Sequence, residues 1–464
     1  MDLHIDFNVG IGEIRALNGV NLAPKLHNQK NRNMNEAYRA LKIPYARLHD
    51  VPLDNPGMRL VDIQHIFGNR EADENDPRNY YFKQTDDYIR NCLGLGTQVV
   101  YRLGTSIEHS LQNYYAFPPE DFDRWITVCI NIIRHYNEGW ANGYSWKIVY
   151  WEIWNEPDLD PVDVGLPKNP RCWGGTVTNF FQFYETAAKH LKGKFPNLKI
   201  GGPALCGNEK WGRRFIAYCR DNKVPLDFYS WHIYSRTPGA IAERCTAWRR
   251  ILDENGFTKT ESILNEWNYV KGWCDDWVYS LRSESGDNCL KGAAFIASTM
   301  IQCQNRPLDL LMFYDARLGT AMNNLFDLVT YWPKKGYYPF YLWSKMVDRG
   351  TQIGCAVSVQ KSKESNANTG NVEKKDKPTA GQFAAVAAKG KDGSAAVFVA
   401  RYSDDDNTSE TDKVTIRVPG QDLSKARCLL TDLVRTCTEV PPTRNADGSV
   451  TIRMQPNSFA LIEF

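Results

Sequence analysis

The sequence predicts an α/β protein: a (β/α)8 TIM barrel with an additional C-terminal β-sandwich domain. Three observations lead there. Between about residue 15 and about residue 345, eight short apolar runs alternate with amphipathic stretches. The last ~120 residues instead carry closely spaced β-like runs broken by turn signals. Finally, Glu156 and Glu266 end two of the eight runs, and C-terminal strand ends are where barrel enzymes do their chemistry.

The eight runs are Ile14–Val20, Tyr45–His49, Gln98–Leu103, Ile148–Trp154, Lys199–Pro203, Leu226–Tyr234, Ser262–Trp267 and Leu308–Tyr314. The segments between them show helical spacing. In Asp121–Tyr136 the apolar Phe122, Trp125, Ile126, Cys129 and Ile133 recur on one face, and Asn179–Lys194 and Ala293–Gln304 read likewise. Alternation over roughly 300 residues fits a closed parallel barrel better than a doubly wound sheet.

Beyond the barrel, Gln382–Ala388, Ala395–Tyr402, Lys413–Val418, Arg427–Thr431, Val450–Met454 and Phe459–Phe464 are short β-like runs. Asp392-Gly393 and Asp447-Gly448 mark turns among them. Residues 1–345 are therefore expected to form the catalytic barrel and 346–464 the sandwich, with the first ~14 residues adding a strand to the latter. Lys361–Pro378 is polar and almost free of large apolar residues, as expected of a mobile hairpin loop or a disordered stretch.

Composition narrows the function. Lys and Arg number 56 against 54 Asp and Glu, a net charge of +2, so no global field draws in nucleic acid or an anionic membrane. No stretch reaches the ~20 apolar residues of a membrane helix, and membrane insertion is not expected. Met1-Asp2-Leu3-His4-Ile5-Asp6 has neither the basic nor the apolar region of an export signal. The expectation is a cytoplasmic protein, or a periplasmic or secreted one whose export signal has been removed. The 12 Cys contain no C-x-x-C pair; Cys129 and Cys303 read as buried thiols, and Cys428 and Cys437 as candidates for a local bridge. The 14 Trp, 23 Tyr and 20 Phe suit the apolar faces of sugars as well as a core.

Glu156 lies in Trp151-Glu152-Ile153-Trp154-Asn155-Glu156-Pro157, where an apolar strand runs into Asn-Glu-Pro. Proline stops the strand and is expected to hold Glu156 extended at the barrel mouth. Glu266 lies in Ile263-Leu264-Asn265-Glu266-Trp267-Asn268. The 110 positions between them equal three βα units, which puts the two on strands four and seven, facing each other across the mouth. Carboxyls converging there at about 5–5.5 Å suit a double-displacement glycosidase. One must be protonated to serve the leaving oxygen and the other ionised to attack the anomeric carbon. Glu156, beside an Asn155 that can reach the sugar 2-hydroxyl, suits the acid/base role and leaves Glu266 as nucleophile. A surface salt bridge or a helix cap is the bland alternative for either glutamate taken singly.

At these residues the sequence resembles clan A glycoside hydrolases and, more narrowly, family 39, home of β-xylosidases and α-L-iduronidases. Trp151–Pro157 with Asp158 resembles that family's acid/base strand, and Ser262–Trp267 its nucleophile strand. Asp227–Tyr234, with its His232-x-Tyr234 pair, is similar to the sixth strand, Ala46–His49 to the second, Asn18–Asn21 to the first and Gly201-Gly202-Pro203 to the fifth. The third strand, Tyr101-Arg102-Leu103-Gly104-Thr105-Ser106-Ile107-Glu108-His109, and the continuation His49-Asp50-Val51 depart from the β-xylosidase pattern. Both lie on loops that shape the sugar subsite. The resemblance therefore implies the reaction type and leaves the sugar open.

Around the pair, Tyr234 is expected to donate its phenol to Glu266, and His232 to contact the nucleophile or a sugar hydroxyl. A core tyrosine and a satisfied structural histidine are the alternatives. Arg47 is expected to brace Glu266 by a charge-assisted hydrogen bond, and His49 to point into the subsite. Glu108, next to His109, reads equally as a sugar ligand or half of a salt bridge. Tyr314 and Asp315 are placed at the pocket edge, and Trp267 and Trp273 as a stacking wall or as core.

The function expected is a retaining, exo-acting O-glycosidase that removes a terminal β-xylose, β-galactose or α-L-arabinose from plant- or host-derived glycans. Exo action is what the family 39 resemblance implies, since pockets there tend to be closed by loops, and the inserts Asn55–Asn79 and Leu159–Thr176 are long. An α-L-iduronidase-like hydrolase or a non-catalytic carbohydrate-binding protein on a hydrolase scaffold are the rivals. A metal-dependent barrel enzyme is disfavoured because such sites need a compact His/Asp/Glu set, while the His are few (8) and show no H-x-H spacing. No cofactor is expected; the partner is an oligosaccharide or glycoside substrate.

Overall fold

The computed structural model of the chain describes residues 1–23, 34–50, 60–107, 111–272, 289–316, 325–327, 329–358 and 383–464, with Leu318 and Met322. Lys361–Pro378 and part of the Asn55–Asn79 insert lie outside these residues.

The chain enters on β1 (Asp2–Glu13), and the barrel follows. Its first half comprises β2 (Gly19–Asn21), α1 (Asn35–Ala40), β3 (Tyr45–Leu48), α2 (Ile63–Ile66), α3 (Lys83–Gly94), β4 (Gln98–Leu103), α4 (Phe122–Glu138) and β5 (Tyr150–Ile153). The second half runs through α5 (Val177–Lys194), β6 (Lys199–Leu205), α6 (Glu209–Asp221), β7 (Phe228–Ser235), α7 (Pro238–Glu254), β8 (Glu261–Tyr269), α8 (Leu290–Cys303), β9 (Leu310–Phe313) and α9 (Tyr337–Arg349). Strands β2 to β9 pair in chain order, all parallel, and β2 closes on β9. Glu156 follows β5 and Glu266 lies on β8, the fourth and seventh barrel strands.

Side-chain alternation stacks the barrel interior in layers. Val100, Tyr150, Phe228, Ile263 and Met312 form an apolar plug inside the strands. Two residues further along, the same faces carry Arg102, Glu152, Ser230 and Asn265, and β3 adds Arg47. All five are buried. Charges are taken into a core only when they pair, and here Arg47 pairs with Glu152 and Arg102 with Asp62. The carboxylates of Glu156 and Glu266 sit directly above this polar layer.

Helices after the key strands start on side-chain caps. Thr176 accepts from Asn179 N–H at 3.1 Å for α5, and Asn208 from Trp211 N–H at 3.1 Å for α6, each worth about 1 kcal/mol. At Gly201 the neighbouring strand is too close for any side chain: a Cβ there would lie 2.2 Å from Phe228 O. No helix among the described residues is long and apolar enough to cross a membrane.

The remaining strands are β10 (Thr351–Ser358), β11 (Phe383–Lys389), β12 (Ala395–Arg401), β13 (Asp412–Arg417), β14 (Arg427–Thr431), β15 (Thr438–Val440), β16 (Thr443–Arg444), β17 (Val450–Met454) and β18 (Ser458–Glu463). They form one sheet in the order β15-β14-β18-β12-β11-β10-β1-β13-β17-β16. The sheet curls so that strands distant in that order, such as β14 and β13, share a core around Cys428, Leu430, Val414 and Ile416. Along β12, Val397 and Val399 face this core while Ala396, Phe398 and Ala400 face the barrel. Phe398 meets Trp343 of α9 with ring centroids 6.2 Å apart. The candidate Cys428–Cys437 bridge is not formed: both are thiols, Cys428 in the sheet's own core and Cys437 against the barrel-side core.

Candidate active site

Strand β5 ends in a turn that aims Glu156 inwards. Trp154 has φ 73° and Glu156 φ 47°, both in the left-handed region. The proline-based expectation of an extended Glu156 is thus wrong. Local preference is overridden by anchoring: Glu156 N–H donates to Ala204 O at 2.9 Å. The Asp158 carboxylate accepts from the backbone N–H groups of Cys206 (2.7 Å), Gly207 (3.1 Å) and Asn208 (2.9 Å). Strained backbone of this kind persists where the surroundings over-determine it, and it clusters at active sites.

Strand β8 uses a different device. Leu264 is paired with Trp231 and Glu266 with His232, so Asn265 is an extra residue, a β-bulge. The bulge lets Asn265 and Glu266 both face the barrel axis and sends Trp267 outward. Trp267 is 0% exposed and packs against Phe295 of α8 and Phe313 of β9. It is core, and the expectation that it stacks on a sugar is corrected.

The carboxyls of Glu156 and Glu266 converge with His232 between them; one ligating atom from each of the three lies within 4.8 Å of the others. That separation is short of the roughly 6.5–9.5 Å that an inverting pair needs to seat a water. His232 Nδ1 and Glu156 Oε1 share a proton at 2.7 Å, and Glu266 Oε2 lies 3.6 Å from the same nitrogen. Glu266 also accepts from Arg47 Nη1 at 3.1 Å and from the Tyr234 hydroxyl.

Arg47 is the hub. Its Nε donates to Glu152 Oε2 at 2.7 Å, Nη2 to Asn155 Oδ1 at 2.6 Å, and Nη1 to Asn21 Oδ1 at 3.3 Å as well as to Glu266. Glu152 Oε1 in turn accepts from Ser230 Oγ at 2.6 Å and from Asn265 Nδ2. Asn155 Nδ2 and His232 Nε2 are buried with no protein partner.

Burial raises both carboxyls. It pushes Glu156 up to about 7, with Asp50 adding to the rise while Arg47, the Cys206 thiol and Arg171 oppose it. Glu266 is raised by burial and by Glu156, against His232, Arg47 and Tyr234. Burial takes His232 down to about 4, so it is neutral at pH 7. One carboxyl able to hold a proton faces a second whose charge is stabilised by a cation and a phenol. This is the division that acid/base plus nucleophilic chemistry requires.

The family model of glycosyl hydrolases family 39 matches residues 16–316. The chain belongs to that family. Curated relatives include a β-xylosidase of Geobacillus stearothermophilus, 32% identical over 121 residues, 25% of this chain and 22% of that one. A β-xylosidase of Caldicellulosiruptor saccharolyticus is 27% identical over 149 residues, 32% of this chain and 26% of that one. The matched segments thus span about a quarter of each relative. Among solved structures, a glucosidase from Croceicoccus marinus superposes with a TM-score of 0.72 at 20% identity, over 100% of this chain and 98% of that one.

In this family 39 chain the other sequence-derived residues fall as follows. His49 is buried at the end of β3, its Nδ1 accepting from Arg102 Nε at 3.1 Å, and its Nε2 lies 3.6 Å from Asp50 Oδ2. The Tyr314 hydroxyl donates to Asp50 Oδ2 at 3.0 Å, and its ring stands edge-on to Tyr234 with centroids 6.4 Å apart. Glu108, His109 and Trp273 lie outside the described residues.

Sequence reasoning missed Glu152, Arg102, Ser230 and Asn265. The signal was present in part. Glu152 and Arg102 each interrupt an apolar run two residues beyond a plug residue, Tyr150 or Val100, and so share its inward face. The scarcity of His was also misleading, since folding gathers Glu156, His232 and Glu266 from three strands. Two carboxylates and an imidazole have the composition of a metal site. Here, however, Glu266 is already committed to Arg47 and Tyr234, and the guanidinium at 3.1 Å repels a cation.

Proposed function

We propose that this chain is a retaining, exo-acting glycosidase that removes a neutral terminal sugar, with a β-xyloside as the first substrate to test. One observation carries the reading: two buried carboxyls within 4.8 Å, one raised to about 7 and the other held by Arg47 and Tyr234. Glu156 gives its proton to the leaving oxygen while Glu266 attacks the anomeric carbon, forming a glycosyl-enzyme. Glu156, now ionised, takes a proton from water, which displaces Glu266. Asn155 Nδ2, buried and without a protein partner, donates to the sugar 2-hydroxyl in this reading. The β-xylosidase names of the curated relatives support the sugar class.

The test is a panel of aryl β-xyloside, β-galactoside, α-L-arabinoside and α-L-iduronide, run with wild type, Glu266→Ala and Glu156→Ala. Glu266→Ala should abolish turnover. Glu156→Ala should slow substrates with poor leaving groups far more than activated aryl glycosides. Equal losses on both substrate types would show the acid/base assignment to be wrong. A sugar bound by wild type without hydrolysis of any glycoside would favour the carbohydrate-binding reading.

A further inference from the structure

Glu152 lies below the carboxylate pair, is 0% exposed, and touches neither Glu156 nor Glu266 through any hydrogen bond. Its carboxylate and that of Glu266 take different nitrogens of Arg47: Nε donates to Glu152 at 2.7 Å, against 3.1 Å from Nη1 to Glu266. A guanidinium divided between two carboxylates gives each only part of its charge. Ser230 and Asn265, from the flanking strands β7 and β8, fix the second oxygen of Glu152 and so fix how Arg47 is divided.

Building on the roles proposed for Glu156 and Glu266, we propose that Glu152 is a positioning residue for the reaction. It draws Arg47 towards the barrel floor, and so limits how much of the guanidinium charge reaches the catalytic pair. The cluster of Arg47, Glu152 and Glu266 carries a net charge of −1 with Glu152 present and 0 without it. An overcompensated nucleophile would be less basic, and a more positive surrounding would strip the proton from Glu156 earlier. Other groups facing the pair are Asp50 beyond β3, Asp158, Arg171 and Cys172 after β5, Cys206 after β6, and His232 and Tyr234 on β7. Of these, His232 also feels the charge of Glu152. Arg47 itself, which burial alone would pull down, is held above its ordinary value with Glu152 as its foremost partner, ahead of Glu266.

Glu152→Gln tests this. The amide matches the carboxylate in shape, and both Ser230 and a flipped Asn265 can accept from it, so the polar layer can still close. The readout is the titration of the Glu156 and Glu266 carboxyls by NMR of side-chain-labelled glutamate in the full chain. Assignment uses Glu156→Gln and Glu266→Gln. Both midpoints should fall by about one pH unit, the effect of one charge removed at moderate effective dielectric. A purely structural role predicts the opposite sign, because an Arg47 set loose from Glu152 would abandon Glu266 and let both midpoints rise. Unmoved or rising midpoints would overturn the inference. Should the Gln variant not fold, Glu152→Asp keeps the charge, and midpoints displaced from wild type by about half a unit or more would overturn it instead. Turnover by Glu266→Ala, measured alongside, would sink the catalytic reading while leaving these titrations to decide Glu152 on their own.

Discussion

Arg47 and Glu266 stand 219 residues apart in the chain and 3.1 Å apart in space. The contact exists because β3 turns Arg47 into the polar layer and the bulge on β8 turns Glu266 inward directly above it. It is also the point where stability and chemistry meet, since the same guanidinium satisfies the buried Glu152 and stabilises the charge of Glu266. Removing one member of such a network leaves the others as uncompensated buried charges.

Arg47→Met should therefore cost more than a nucleophile contact. Breaking a buried pair by removing one partner costs about 3–5 kcal/mol, and here Glu152 would lose its 2.7 Å donor. The expected result is a lower urea midpoint together with a fall in kcat. Glu152→Gln made in the same background should recover part of the lost stability, because the unpaired charge is then gone. A single Arg47→Met variant as stable as wild type would contradict this account of the polar layer.

Tyr234→Phe should separate catalysis from folding. The phenol donates to Glu266, while its ring packs edge-on against Tyr314. Hydrogen bonds to charged groups are worth about 1.5–3 kcal/mol, so kcat should fall roughly 10- to 100-fold. The ring contact survives, and the melting temperature should change little. Steady-state kinetics on the best aryl glycoside, beside a thermal melt, checks both parts.

The barrel was legible in the sequence because parallel strands buried on both sides read as apolar runs. Gln98–Leu103, for example, is β4 from end to end. Glu156 and Glu266 were legible because each ends such a run. The network beneath them was not, for two physical reasons. It is assembled from single residues on five strands, so no local window contains it. Its geometry also depends on the bulge at Asn265, and strict alternation through Ile263, Asn265 and Trp267 would have turned Trp267 inward and Glu266 outward. Pro157 misled in the same way, because the bonds to Ala204, Cys206, Gly207 and Asn208 outweigh the preference of a residue before proline.

The raised Glu156 links pH to both rate and stability. Glycosyl transfer needs Glu156 protonated and Glu266 ionised. The basic limb of kcat/KM should therefore lie near pH 7, and the acid limb above the ordinary carboxylate range. For stability the sign is equally definite. The folded Glu156 keeps its proton up to about 7, and the unfolded chain releases it near 4.5. The folded state thus binds more protons between those values, and stability from this group falls as pH rises through that window. Glu156→Gln removes the dependence. It should be more stable than wild type at pH 8, by on the order of 3 kcal/mol, and match it near pH 4. Equal melting temperatures at pH 8 would argue against a strongly raised Glu156.

Asn155 offers a test that involves the substrate itself. Its Oδ1 is fixed by Arg47 Nη2 at 2.6 Å, which leaves Nδ2 buried, oriented and without a protein partner. A donor held this way costs nothing to reorganise when the sugar 2-hydroxyl strengthens its hydrogen bond in the transition state. Asn155→Ala should lower kcat/KM about 10²- to 10³-fold on a normal glycoside, the scale of losing one preorganised donor. On the matching 2-deoxy glycoside, which lacks the acceptor, the same variant should lose far less. The two losses form a cycle whose coupling isolates the contact from any general damage to the site. Equal losses on both substrates would mean that Asn155 acts only through Arg47, as a support for Glu266, and does not touch the sugar.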